Sequence, residues 1–268
     1  MQSLELNKFK SIMQSEAADR TSQKYSLIPT MRVIDVLSKH NWLPVLAGEM
    51  KCRDNARVGF QKHIVKFRNS AVTIRNIDQI QPEIILTNSH DGYASFCLQA
   101  GLYRFVCSNG LICADSVFSK HSIRHQGYTD QSVSLAIEEI CDRVPTIGNK
   151  VTDFQAIDLT PDEKGIFAVA ALTAKYGTEE LKTRDFNILR LLQAPRTQDK
   201  GNSLWHTFNV VQEKLIKGAR FEEKEYTHLP HLKHSVKARG VNSIPENIRI
   251  NQALWTLTEK MAELKISQ

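Results

Sequence analysis

The sequence predicts an α+β protein: an N-terminal antiparallel β-sheet with a packed helix, followed by a mainly α-helical half. Three observations carry this. From Val45 the period becomes two, and strand-like runs follow as far as Gln126. After Gly127 the apolar period becomes 3.6 and largely stays there. One well-signalled helix, opened by Pro29-Thr30, precedes the strands.

Leu6, Phe9 and Ile12 or Met13 share helical spacing, which predicts a first helix over 4–18 before a polar connector at 19–23. Thr30 is placed to cap the next helix, whose apolar side is Val33, Ile34, Val36 and Leu37. From Val45, Leu46, Met50 and Cys52 alternate with Ala47, Glu49, Lys51 and Arg53 as one strand running to the Asp54-Asn55 turn. In the following strand His63, Val65 and Phe67 share one face, and Lys62, Ile64, Lys66 and Arg68 the other. Residues 71–82 read as a loop ending at Pro82, 83–87 as a strand, Phe96 to Val106 as another, and Val117 to Gln126 as a further one. The helical half begins with Val133, Ile137, Ile140 and Val144, stopped before Pro145. Thr160-Pro161-Asp162-Glu163 starts a helix that Gly177 ends, and a short helix spans about 184–193. Leu204, Phe208, Val211 and Leu215 stripe a helix closed by Gly218, and 247–265 is the last. Residues 219–246 read as basic, histidine-bearing and irregular. The expected division is 1–24 helix and connector, 25–127 β-rich core and 128–268 helical half packed on it, a single domain being compatible with the same pattern.

The chain has 268 residues, 41% hydrophobic and 24% charged, enough for a sizeable core. No apolar run approaches the roughly 18 residues of a membrane span, and no secretory signal pattern opens the chain. Cys52, Cys97, Cys107, Cys113 and Cys141 form no Cys-x-x-Cys pair, the usage of reduced thiols, so a cytoplasmic location is expected. The formal charge is +6 with pI near 9.0, which permits a polyanionic partner without demanding one. Phosphate-loop, dinucleotide, zincin and nucleophile-elbow patterns are absent, and no cofactor is expected.

The central stretch is Asn88-Ser89-His90-Asp91-Gly92, a polar turn between two apolar strands with Gly92 able to take positive φ. With Arg104, Cys107 and Asn109 it offers three uses. A thiol, an imidazole and a carboxylate (Cys107, His90, Asp91) could act as nucleophile, base and orienter. Alternatively, the amide and imidazole edges with Arg104 suit binding, or a network tying strand ends together. Lys51, Arg53, Lys62, Lys66, Arg68, Arg104, Lys120 and Arg124 are the candidate phosphate contacts, against the reading of a solvated outer sheet face. His121 and His125 share a strand face, but no acid or thiol nearby completes a familiar ligand set, so no metal is expected. Arg196, Asp199, Asn209, Gln212 and Glu213, with Asn88, His90 and Asn109, are candidate polar-network residues, half-buried in the case of the helix amides. Asn209 and Gln212 read as locking their helix to the sheet, with a ligand site as the alternative, and Arg196 and Asp199 as a pair across the turn or a helix cap. Finally, the cations of 214–239, with Phe221 and Tyr226 between them, fit a single-strand track or an ordinary exposed loop.

The runs Ser26-Leu27-Ile28-Pro29-Thr30, Asn88 to Gly92, Ala100 to Gly110, Asp199 to Glu213 with Gly218, and Ile250-Asn251-x-x-Leu254-Trp255 resemble the phage/plasmid-like family called domain of unknown function 932. The resemblance spans about 20–258 and implies mobile-element biology without bringing catalytic residues. At fold level a helix, basic-faced strands and then helices is similar to phage single-strand annealing proteins, an analogy only. The expected function is nucleic-acid binding in a phage, prophage or plasmid context, with single-stranded DNA favoured and a homo-oligomer as the working form. The alternatives are an enzyme centred on His90, Asp91 and Arg104, and a protein-interaction module countering host factors.

Overall fold

The computed structural model describes residues 4–22, 25–74, 80–105, 109–112, 121–123, 129–183, 186–225 and 233–267, with only the backbone at 109–112, 121–123, 220–225 and 233–237. It divides into two compact units, 1–148 and 149–268.

The first unit is built on an antiparallel sheet of six strands: β1 Leu43–Glu49, β2 His63–Arg68, β3 Ile80–Asn88, β4 Phe96–Arg104, β5 Asn109–Ile112 and β6 His121–Ile123. The order is β1-β2-β3-β4-β5, with β6 also on β4. The α+β class and the antiparallel N-terminal sheet are as the sequence predicts, but several limits move. The predicted first helix shrinks to a 3₁₀ turn, Leu6–Lys8, and the single turn α1, Lys10–Met13. β1 stops at Glu49: the Met50 N–H still donates to the Lys62 carbonyl at 2.8 Å, and beyond it Asp54 caps a 3₁₀ turn, Asn55–Arg57. β3 takes in Ile80 to Pro82, predicted as loop. Asn109 and Gly110, an Asn-Gly pair of the kind that marks a turn, are strand here, opposite Arg104 and Tyr103. Of the strand predicted at Val117 to Gln126, His121–Ile123 are described as β6, opposite Phe96 to Leu98, and the remainder lies outside the described residues.

Register sorts the sheet's two faces. His63–Asn88, Val65–Leu86–Leu98 and Phe67–Ile84–Ala100 share one, and Lys66–Ile85–Gln99 and Arg68–Glu83–Gly101 the other. Glu83, Ile85, Thr87, Cys97 and Gln99 are all buried, so the second face is not the open surface that alternation suggests. Helix α2, Thr30–Lys39, buries Val33, Ile34, Val36 and Leu37 as expected, but Thr30 does not cap it. Pro29 holds the cap position and the Thr30 hydroxyl points elsewhere.

Helix α3, Asp130–Ala156, runs through Pro145 instead of ending before it. Proline there removes a bond to Cys141 and costs about 3 kcal/mol in a bare helix. Ile140 and Val144 before it, and Ile147 and Val151 after it, are all buried, and that packing outweighs the break. The second unit continues with α4 Pro161–Tyr176, α5 Thr178–Thr183, α6 Ile188–Leu192, α7 Leu204–Lys217 and α8 Ile244–Ile266. α4 has the predicted start: Thr160 accepts from the Glu163 N–H while Glu163 accepts from the Thr160 N–H. Phe154, Trp205, Phe208 and Trp255 form its aromatic core. The stretch predicted as irregular folds in part into a hairpin, β7 Ala219–Glu225 with β8 Lys233–Ala238. Gly218 and Gly240 close its base: a Cβ on Gly218 would lie 2.7 Å from the Gly240 nitrogen, and Gly218 has φ +91°.

Candidate functional site

The end of β3 and the turn after it gather a buried polar group, the densest among the described residues of the first unit. Thr30, at the start of α2, places its hydroxyl 2.7 Å from His63 Nε2 and 3.4 Å from His90 Nε2. Asn88 Nδ2 donates to Thr30 Oγ1 at 3.1 Å and to the Ile28 carbonyl at 2.9 Å. His63 Nδ1 lies 3.2 Å from the Gln61 carbonyl, which fixes its proton there and leaves Nε2 to accept from Thr30. The two imidazoles have centroids 5.2 Å apart. Burial, and then His90 beside it, push the His63 pKa down to about 3, so the ring is neutral at ordinary pH. Thr30, His63, Asn88 and His90 are fully buried. The group joins α2, β2 and β3.

Between Asp91 and Tyr93 the chain passes from buried to exposed. Asp91 is buried and its Oδ2 accepts from Arg57 Nε at 3.1 Å and Nη2 at 2.7 Å, while Oδ1 accepts from the Tyr93 N–H. The Asp91 hydrogen bond raises the Arg57 pKa above its ordinary value. Gly92 takes φ +77°, as the turn demands. Tyr25 donates to the Ser89 carbonyl at 3.0 Å, and burial followed by the Asp91 charge pushes its phenol up to about 12. Tyr93 projects outward, 62% exposed. The Arg20 guanidinium carbon lies 4.2 Å and that of Arg57 4.5 Å from the Tyr93 ring centroid, within cation–π range. Arg20 also donates to the Tyr93 hydroxyl. The segment that carries Arg20 crosses the turn, with the Ala18 N–H on the His90 carbonyl.

Residues 18–255 match the family described as a domain of unknown function, DUF932. The chain belongs to the DUF932 family. It is 31% identical over 252 residues to the UPF0380 protein YafZ of Escherichia coli (strain K12), covering 94% of this chain and 87% of that protein. It is 30% identical, with the same coverage, to the UPF0380 protein YfjQ of the same organism. No solved structure matches it.

The Asn-Ser-His-Asp-Gly turn of this DUF932 chain does not meet Arg104. Thr87 pairs with Cys97 near the turn, whereas Arg104 is opposite Ile80 at the other end of β4, roughly 24 Å along the strand. Arg104 is itself buried, and Asn109 pairs with it rather than with Asn88 or His90. Cys107, Lys120 and Arg124 lie outside the described residues. Lys66 and Arg68 converge on the buried Glu83, at 3.6 and 2.8 Å. Arg68 also stacks 3.3 Å from the Tyr103 centroid. Lys62 is half-buried just before β2, and Lys51 and Arg53 are exposed in the β1–β2 connection that also carries Arg57. Thr30, His63, Arg57, Tyr93 and Arg20 are the residues that sequence reasoning misses. Alternation did put His63 on the buried face of β2, a position where an imidazole needs partners.

The second unit holds a separate polar network. Arg196 donates to Asp199 at 2.7 Å and to both carboxylate oxygens of Glu213, at 2.8 and 2.6 Å; Lys217 joins Glu213 at 3.1 Å. Burial would raise the Glu213 carboxyl, but Arg196 and Lys217 hold it below the usual range. Gln212 donates to Asn251 at 2.7 Å, tying α7 to α8, and Asn209 turns back onto the Trp205 carbonyl. Among the described residues no three His, Cys, Asp or Glu side chains are placed to hold a metal, and no helix is long and apolar enough to cross a membrane. Cys52 and Cys141 are free thiols.

Proposed function

We propose that this chain binds nucleic acid, single-stranded DNA in preference, through the edge of the first unit formed by Arg20, Arg57 and Tyr93 with Lys51 and Arg53. The observation that carries the reading is an exposed aromatic ring with two guanidinium groups against it, beside a connection bearing further exposed cations. Phosphates are neutralised by such cations, and bases stack on such rings. The overall charge of +6 gives an approaching polyanion a favourable field. Lys66 and Arg68 are left out of this surface because Glu83 already uses them.

The family resemblance supports a phage, prophage or plasmid setting, and with it a cytoplasmic location. An oligomer placing several copies along one strand belongs to the same reading. Fluorescence anisotropy with labelled single strands and duplexes of equal length tests it. Single strands bind more tightly, and log affinity falls by roughly 0.7 per contacted phosphate per log unit of salt. An anisotropy that stays flat for every DNA and RNA at low salt overturns the proposal.

A further inference from the structure

We infer that Tyr93 is a stacking platform for one unstacked base, held by a fixed jaw, Arg57, and a movable one, Arg20. This rests on the nucleic-acid reading and names what that site takes: a nucleobase with its neighbouring phosphate, not a phosphate chain alone.

The two arginines at the ring are held differently. Arg57 is anchored twice to a single oxygen of buried Asp91, whose other oxygen takes the Tyr93 backbone N–H. Arginine, carboxylate and tyrosine therefore form one preorganised piece, built on a turn that the Thr30–His63–Asn88–His90 group fixes to the sheet. Arg20 stands on the exposed connector and meets the ring and the hydroxyl of Tyr93. A guanidinium on a ring is a flat cation in the place a base would occupy. An arriving base replaces Arg20 there, and the freed guanidinium takes the adjoining phosphate, where a bidentate charge-assisted bond replaces a cation–π contact. Duplex DNA keeps its base faces stacked inside and offers nothing to exchange for Arg20. The device therefore selects single strands without reading sequence, since every base has a π-face.

The test is a pair of oligonucleotides of equal length and charge, one with all its bases and one abasic at successive positions, titrated into the full chain. A strand carrying 2-aminopurine serves as the stacking probe, because its fluorescence is quenched when the base stacks on a ring. The intact strand binds roughly 5- to 150-fold more tightly than the abasic one, the range of one base–aromatic stack. Tyr93→Ala removes that difference and the quenching, and Tyr93→Phe retains both. Equal affinity for the two strands, or quenching that survives Tyr93→Ala, overturns the platform while leaving nucleic-acid binding standing. Failure of the unaltered chain to bind either strand overturns both. Tyr93 is exposed, so the alanine variant folds, and coincident thermal unfolding curves check this.

Discussion

His63 is a histidine that folding keeps from carrying charge. Thr30 and the Gln61 carbonyl satisfy its nitrogens, His90 stands beside it, and only Asp91 among the neighbouring charges favours protonation. The folded pKa of about 3 lies below the unfolded value near 6.5, so the unfolded chain takes up the proton first as pH falls. The contribution of the neutral ring is complete above about pH 6.5 and is lost progressively down to about pH 3, with a total on the order of a few kcal/mol. Urea unfolding midpoints at a series of pH values check this: the acid-side slope is shallower in His63→Gln, and identical slopes would contradict the account. In the sequence, alternation places His63 on the core side of its strand, but its partners are far along the chain. Thr30 shows why they are hard to find: a threonine after proline at a helix start looks like a cap, and here the same hydroxyl serves three buried side chains instead.

At the scale of the element, β2 and β3 explain why a row of cations need not be a binding surface. Lys66 and Arg68 recur at a period of two, which is what an exposed basic ribbon would show. The pairing of Arg68 with Glu83 across the strands decides otherwise, because Glu83 is buried and takes both charges. Removing that carboxylate leaves two cations beside a buried face. Glu83→Gln lowers stability by about 3 kcal/mol, the lower end for a broken buried pair because both cations keep some contact with water. Denaturant unfolding measures this, and affinity for single strands in the refolded variant stays as before. Unchanged stability with lost binding would show that these charges serve a ligand. Helix limits were legible where local chemistry sets them, as at Thr160, Gly177 and Gly218. They were not where packing overrides local chemistry, as at Pro145. The β7–β8 hairpin was hidden for another reason: Arg220 faces Lys237 and Glu225 faces Lys233 in its register, and so charged a pair of strands carries little apolar alternation to read.

The whole molecule joins a sheet unit and a helical unit that do different physical work. The helical unit closes its polar groups on themselves, through Arg196 with Asp199 and Glu213 and through Gln212 with Asn251. The sheet unit instead carries a buried polar anchor to an exposed end at Tyr93. That the DUF932 relatives cover nearly the whole chain makes both units part of one family architecture. Sequence alone gave the class and most of the helices, but the exposed cluster is assembled from 20, 57 and 93, three segments with no local pattern between them. Backbone hydrogen exchange, with and without a saturating single-stranded oligonucleotide, reads out whether the strand lies on the Arg20–Arg57–Tyr93 edge. A strand held there slows exchange across 18–22, 50–62 and 88–95. No change at those segments in the bound protein would contradict that placement.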